Sequence, residues 1–185
     1  MKHIKIEVNI NNKDMSNGDK SYTVKVVNAD SNEIIQVIEA KQIICGLYHT
    51  FVIDMNNRLL ATGYNEAGQL GLGDNKNRET FVYTGYDNVK LVACGGYHTV
   101  IADKNDKLLV AGYNNSGQLG LGDNDNRNVF TDTGMRNIKQ IICGEYHTLI
   151  MDIDNNLLIA GYNKYSQSCI DDNVNRNIFT KININ

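Results

Sequence analysis

Apolar positions along this chain fall in runs of three to five residues, separated by stretches rich in Asn, Asp and Gly. Ile43-Ile44 leads into Cys45, Phe51-Val52-Ile53 follows, and Leu59-Leu60-Ala61 returns after the polar turn Asp54-Met55-Asn56-Asn57. The order recurs as Leu91-Val92-Ala93, Val100-Ile101-Ala102 and Leu108-Leu109-Val110, and again as Ile141-Ile142, Leu149-Ile150-Met151 and Leu157-Leu158-Ile159. Runs this short fall below helix length, and two of them across an Asn/Asp turn predict a β-hairpin. Weaker patterning predicts a further strand near residues 80–84, 129–133 and 178–184. Near the start, Ile4, Ile6, Val8 and Ile10 alternate with polar residues, as does Tyr22-Thr23-Val24-Lys25-Val26. Both patterns predict half-buried strands, with turns at residues 11–14 and 17–19. The predicted class is all-β.

The recurrence has a fixed step. Cys45, Cys94 and Cys143 are 49 residues apart, as are His49, His98 and His147, and Gly46, Gly95 and Gly144. Gly63, Gly112 and Gly161 keep the step, each followed by a tyrosine (Tyr64, Tyr113, Tyr162), and so do Arg78, Arg127 and Arg176. Four short antiparallel strands per unit of this length predict β-propeller blades. The repeats span 41–89, 90–138 and 139–185; residues 1–40 lack the repeated words and read as a divergent fourth blade or a small cap. Three to four blades make a partial, open propeller or one completed by oligomerisation. The alternating Ile182-Asn183-Ile184-Asn185 could pair with an N-terminal strand to close the array.

Residues 65–74 read Asn-Glu-Ala-Gly-Gln-Leu-Gly-Leu-Gly-Asp and residues 114–123 read Asn-Asn-Ser-Gly-Gln-Leu-Gly-Leu-Gly-Asp, one hairpin downstream of Gly-x-Tyr-His-Thr. With these loops, carrying Gly68, Gly71, Gly73, Gly117, Gly120 and Gly122, the chain resembles the regulator of chromosome condensation repeat family over about 41–185. The resemblance implies blades of a propeller that in the family has about seven of them. It also implies roles such as nucleotide exchange on the small GTPase Ran, chromatin docking, light sensing and scaffolding. The chain departs from the family in having Thr62, Ala111 and Ala160 where tryptophan is common, and Phe81, Phe130 and Phe179 where proline is common. The third loop is altered to Ser166-Gln167-Ser168-Cys169-Ile170-Asp171-Asp172, so its backbone is not expected to follow the other two wherever they need φ > 0.

Reactive-looking residues mostly have structural readings. Each Cys-x3-His supplies two metal-ligand types, but zinc gathers four ligands within about 2.3 Å, and these pairs lie on separate blades. The histidines are expected to hydrogen-bond backbone of the adjoining turn, and the cysteines to be small free core thiols, with Cys169 the most exposed. Asp123-Asn124-Asp125-Asn126 lacks the glycine and glutamate that a calcium loop needs at its sixth and twelfth positions. The Gly-rich loops end in Gly-Asp-Asn where a phosphate loop has Gly-Lys-Ser/Thr; Leu70, Leu72, Leu119 and Leu121 are expected to plug the space between blades. Tyr64, Tyr113 and Tyr162 are candidate partner contacts or inter-blade packing groups, and Arg78, Arg127 and Arg176 are candidate contacts or local ion pairs. No nucleophile–base–orienter set is present, so no enzyme, cofactor or metal is expected.

Composition narrows the function further. An apolar content of 42% supports a packed core, and a net charge of −3 offers no footprint for nucleic acid. No apolar run approaches a membrane span, and the start lacks the apolar core of a signal peptide, so an intracellular protein is expected. Proline and tryptophan are absent and asparagine is about one residue in seven, which fits AT-rich codon usage such as that of a giant virus, protist or AT-rich bacterium. Cytoplasm or nucleus, or virion and host cytoplasm for a viral source, are the expected places. The expected function is a non-enzymatic protein-interaction or scaffold module. Nucleotide exchange on a Ran-like GTPase is one alternative, and self-association through open blades, as a homo-oligomer, is another.

Overall fold

The Asn/Asp turns and the short apolar runs build one antiparallel sheet per repeat. The computed structural model describes residues 4–11, 20–168, 170 and 172–182, and among these there is no helix. The first repeat forms β3 (Ile34–Cys45), β4 (His49–Asp54), β5 (Arg58–Gly63) and β6 (Arg78–Asp87). The second forms β7 (Leu91–Cys94), β8 (His98–Ala102), β9 (Leu108–Gly112) and β10 (Arg127–Asp132). The third forms β11 (Ile138–Cys143), β12 (His147–Asp152), β13 (Leu157–Gly161) and β14 (Arg176–Lys181). Each set of four is a meander of neighbours, and the fourth strand begins at the repeated arginine, two residues earlier than patterning predicts.

The hairpin turns explain part of the asparagine content. Asp54 accepts hydrogen bonds from the Asn56 and Arg58 amides, at 2.9 and 2.8 Å, while Asn57 takes φ 62°. Asp103 and Asp152 repeat this, with Asp106 and Asn155 in the left-handed conformation that Asn and Asp tolerate best.

The blades stack face to face. Phe51, Ile53, Leu59, Ala61 and the loop residue Leu70 meet Ile101, Leu109, Ala111 and Phe130 of the next blade. One blade further on, Val100, Leu108, Val110 and Leu119 meet Ile150, with Leu158 and Phe179 packed against them. A middle blade covered on both faces needs apolar residues at consecutive positions, and every residue of β8 and β9 is buried.

Residues before the first repeat extend its sheet. β1 (Ile4–Asn11) pairs with β2 (Ser21–Asn28), and β2 pairs with residues 34–40 of β3 before β3 turns to pair with β4 through residues 40–45. Val24, Val26, Ile38 and Ala40 pack on Val52, Leu60 and Phe81, covering the face of the first blade that has no preceding blade. The Gln36 amide stands in for a neighbouring chain: its Nε2 donates to the Phe81 carbonyl at 3.0 Å and its Oε1 accepts from the Phe81 amide at 2.8 Å. In the later blades the corresponding edge is held by the preceding loop, through Gly73 to Asn128 and Gly122 to Asn177. Gln36→Leu is therefore expected to cost about 1–3 kcal/mol in urea unfolding, because it orphans a part-buried amide and carbonyl. An unchanged midpoint would show that the layer is held by its apolar face alone.

The array is open. β14 pairs with β13 and β1 with β2, so the expected closing pair between the two ends does not form among the described residues; residues 183–185, like the predicted turns at 12–14 and 17–19, lie outside them. On the last blade the face that would meet a further blade is uncovered: Ile142 is 50% exposed, and Leu149, Met151 and Leu157 are half-buried. The third loop keeps its first turn, with Ser166 adopting φ 59° where glycine was expected to be needed. Ser168 then takes the place of the buried leucines Leu70 and Leu119.

Candidate functional site

The repeated words lie at the ends of one hairpin, which decides where their side chains go. Register pairs His49 with Gly63, His98 with Gly112 and His147 with Gly161. The tyrosine before each histidine and the tyrosine after each glycine are therefore neighbours, and the Tyr64, Tyr113 and Tyr162 amides donate to the Tyr48, Tyr97 and Tyr146 carbonyls at 2.8–2.9 Å. A 49-residue period places one such pair on the same rim of every blade.

The rings join across blades. Tyr48 lies 5.0 Å from Tyr97 between ring centroids, Tyr97 is near-parallel to Tyr146 at 6.0 Å, and Tyr64, Tyr113 and Tyr162 contact this inner row at 6.0–6.5 Å. Tyr165 extends the row from Tyr162 and is 82% exposed. Two grooves follow the rim, of about 510 and 380 Å³, with Tyr113 and Tyr146 lining both. Hydrogen bonding with Tyr48, then burial, pushes the Tyr97 phenol up to about 12. Tyr64 and Tyr146 are raised chiefly by donating to Glu66 and Glu145.

Beneath the rim the histidines join blades. Thr99 Oγ1 donates to the Gln69 carbonyl at 2.8 Å, so its one hydrogen is spent. His49 Nε2, 2.9 Å from the same oxygen, must therefore carry the ring hydrogen and donate it. His98, Thr148 and Gln118 repeat the arrangement. The expected bond to backbone of the adjoining turn is thus replaced by a bond to a threonine 50 residues on. Burial lowers the His49 pKa to about 4 and that of His98 to about 3, and it lowers His147 as well. Gly46, Gly95 and Gly144 leave room for these rings: a Cβ at Gly95 would lie 2.2 Å from His98 Cε1.

The remaining candidates are occupied locally. Arg78 and Arg127 pair with Asp74 and Asp123, four residues earlier, at 2.7 and 2.5 Å, and Arg176 pairs with Asp172. None of the three lines either of the two rim grooves. Asp123 also caps the Asp125 amide and accepts from Asn114, which spends it on its own loop. Cys45, Cys94 and Cys143 are free thiols, but they are not the core residues expected: Cys45 is exposed and the other two are half-buried, enough for burial to raise the Cys94 thiol and to push that of Cys143 up to about 12. Cys169 lies outside the described residues. Among the described residues no three His, Cys, Asp or Glu side chains gather as a metal set.

The model of the regulator of chromosome condensation (RCC1) repeat matches residues 56–102 and 105–151, about half the chain, and a second model of the same repeat matches 89–118. The chain belongs to the RCC1 repeat family. Among solved structures, human WBSCR16 superposes with a TM-score of 0.70 at 19% identity, covering 89% of this chain and 49% of that one. Prp20p from Saccharomyces cerevisiae, studied for its binding to Gsp1p and histones, gives 0.68 at 20% identity, with 89% and 49% covered. Yeast RCC1 (Prp20) bound to Kap60 gives 0.67 at 19%, with 88% and 46% covered. This RCC1-repeat chain thus spans about half the length of these propellers. No curated protein matches it by sequence. Sequence reading missed Tyr48, Tyr97 and Tyr146 as rim residues, although they stand in the repeated Gly-x-Tyr-His-Thr. The signal was the pairing of the two words across one hairpin.

Proposed function

We propose that this RCC1-repeat chain is a non-enzymatic protein-interaction module whose partner docks on the tyrosine rim. The observation that carries this reading is the unbroken row of part-exposed tyrosine rings across all three blades. Tyrosine offers a large rigid contact surface at low conformational cost and is enriched where binding energy concentrates. A photo-crosslinking side chain at Tyr113 is expected to capture the partner, and one at Lys139, on β11, is not. Tyr97→Ala is expected to weaken binding by about 2 kcal/mol, roughly 30-fold, without changing the far-ultraviolet spectrum. Equal capture from both positions, or unaltered binding by Tyr97→Ala, would sink the reading.

Two other readings have specific support. Nucleotide exchange on a small GTPase draws on the fold shared with Prp20p, and acceleration of nucleotide release from the purified GTPase is its test. Self-association draws on the uncovered face of the last blade, where Ile142 and Leu149 meet solvent. Light scattering should then show a mass above that of one chain, reduced to one chain by Leu149→Lys; a single-chain mass from the start defeats it.

A further inference from the structure

The charges along the rim are one-sided. Glu66 lines one groove and Glu145 the other, and no lysine or arginine lines either. Both carboxylates are exposed and beside the rim rings: the Tyr64 hydroxyl donates to Glu66 at 2.9 Å, and Glu145 precedes Tyr146 and raises its phenol pKa. Their treatment differs from that of the loop carboxylates. Asp54, Asp74, Asp123, Asp132 and Asp172 each have an arginine partner. Glu66 and Glu145 are ion-paired with no described residue. The only imidazole in the grooves, His147, is kept neutral by burial. Lys164 occupies the loop position corresponding to Glu66 on the last blade but lines neither groove, so the charges that line the grooves, Glu66 of the first blade and Glu145 of the third, are negative only.

We propose that the rim takes a cationic polypeptide segment, whose lysine or arginine side chains lie on the rings of Tyr97, Tyr113 and Tyr146 with their charges met by Glu66 and Glu145. This rests on the rim being the partner surface. Aromatic rings attract cations electrostatically, and an unpaired carboxylate beside the ring adds a second attraction that an acidic or neutral segment cannot use. A partly desolvated groove strengthens both.

The test titrates the full chain with short labelled peptides of equal length, one rich in lysine and arginine, one rich in glutamate and one neutral, read by fluorescence anisotropy. The cationic peptide is expected to bind about tenfold or more tighter than the others and to weaken as salt rises. Combining Glu66→Gln with Glu145→Gln should lower its affinity about tenfold and flatten the salt dependence, whereas Glu33→Gln, in the turn before β3, changes neither. Tyr113→Leu should weaken it and Tyr113→Phe should not, because the ring holds the cation. Equal binding of all peptides, or unchanged binding by the double glutamine variant, overturns the proposal. If Tyr97→Ala still abolishes partner capture while the cationic peptide fails to bind, the partner surface stands and its cationic occupant falls. If Tyr97→Ala leaves capture intact, the surface itself is misplaced.

Discussion

Gly112→Ala is expected to lower the unfolding free energy by about 3–4 kcal/mol. Gly112 ends β9 at φ 110°, a conformation that side-chain-bearing residues rarely adopt. A Cβ there would lie 2.4 Å from the Tyr97 carbonyl oxygen, 2.7 Å from His98 Cα and 3.0 Å from Gln69 Cβ. Two of these atoms are backbone of the paired strand segment and the third belongs to the preceding blade, so none can yield by a rotamer change. The displacement would reach the rim, through the Tyr113-to-Tyr97 bond, and the blade joint, through Gln69 and Thr99. Gly134 provides the control. It also has a positive φ, 82°, but nothing lies within 4 Å of its missing Cβ. Gly134→Ala should cost only the conformational part, about 1 kcal/mol. Urea unfolding of both variants separates backbone strain from close approach; equal losses would show that the approach costs nothing.

This contrast marks what the sequence could convey. A constant step of 49 residues and short apolar runs are local facts, and they sufficed for the hairpins, the blade count and the repeated words. Of the four loop leucines expected to plug the space between blades, Leu70 and Leu119 lie fully buried there, while Leu72 and Leu121 are only partly buried against the same clusters. The relations between blades were not local. The threonine that meets His49 is one period and one residue away, and periodicity states that residues are equivalent without stating which neighbours touch. The stretch at residues 34–40 illustrates the same point. Its side chains alternate only while β3 pairs with β2, and the strand then crosses into the first blade, so no turn residue announces the change. The rim required both tyrosine words to be mapped onto one hairpin end, a step that register supplies and composition does not.

The third repeat shows how a repeat can be altered at a joint. In the first two loops a Cβ at Gly68 or Gly117 would lie 2.4–2.5 Å from the Cα of Asn128 or Asn177 of the following blade, and one at Gly71 or Gly120 would meet a Phe130 or Phe179 ring at 2.4 Å. Ser166 and Cys169 occupy these positions in the third loop. A further blade bearing the same Arg-Asn-x-Phe strand cannot seat there in the same way without the loop moving. The opposite end is served by Gln36, which bonds both Phe81 backbone groups without any loop glycine. Gln36 before the first blade and Ser166 in the third loop thus depart from the repeated joint, while the joints between the described blades keep it unchanged.

Those joints should make the protein sensitive to mild acid. His49 and His98 have pKa values of about 4 and about 3 in the folded chain because burial opposes their charge, against about 6.5 when unfolded. Between those values the unfolded chain binds more protons, so stability is full above about pH 6.5 and falls as pH falls through the window. At pH 5 each histidine is expected to have cost about 2 kcal/mol. The carboxylates of Asp74, Asp123 and Asp172 are lowered by hydrogen bonds and by their arginines, so what they add is lost only below about pH 4. The loss between pH 6.5 and 4 therefore belongs to the imidazoles. Urea midpoints at pH 7.5 and 5 should differ strongly in the parent chain and by about half as much in His98→Gln, whose amide can still donate to Thr148 but cannot take up a proton. His49→Gln combined with His98→Gln should lose most of the slope, with His147 keeping a smaller part of it, and should be less stable at neutral pH. A parent chain with equal stability at the two pH values, or a double variant that keeps the slope, would show that these histidines are not held neutral at the joints.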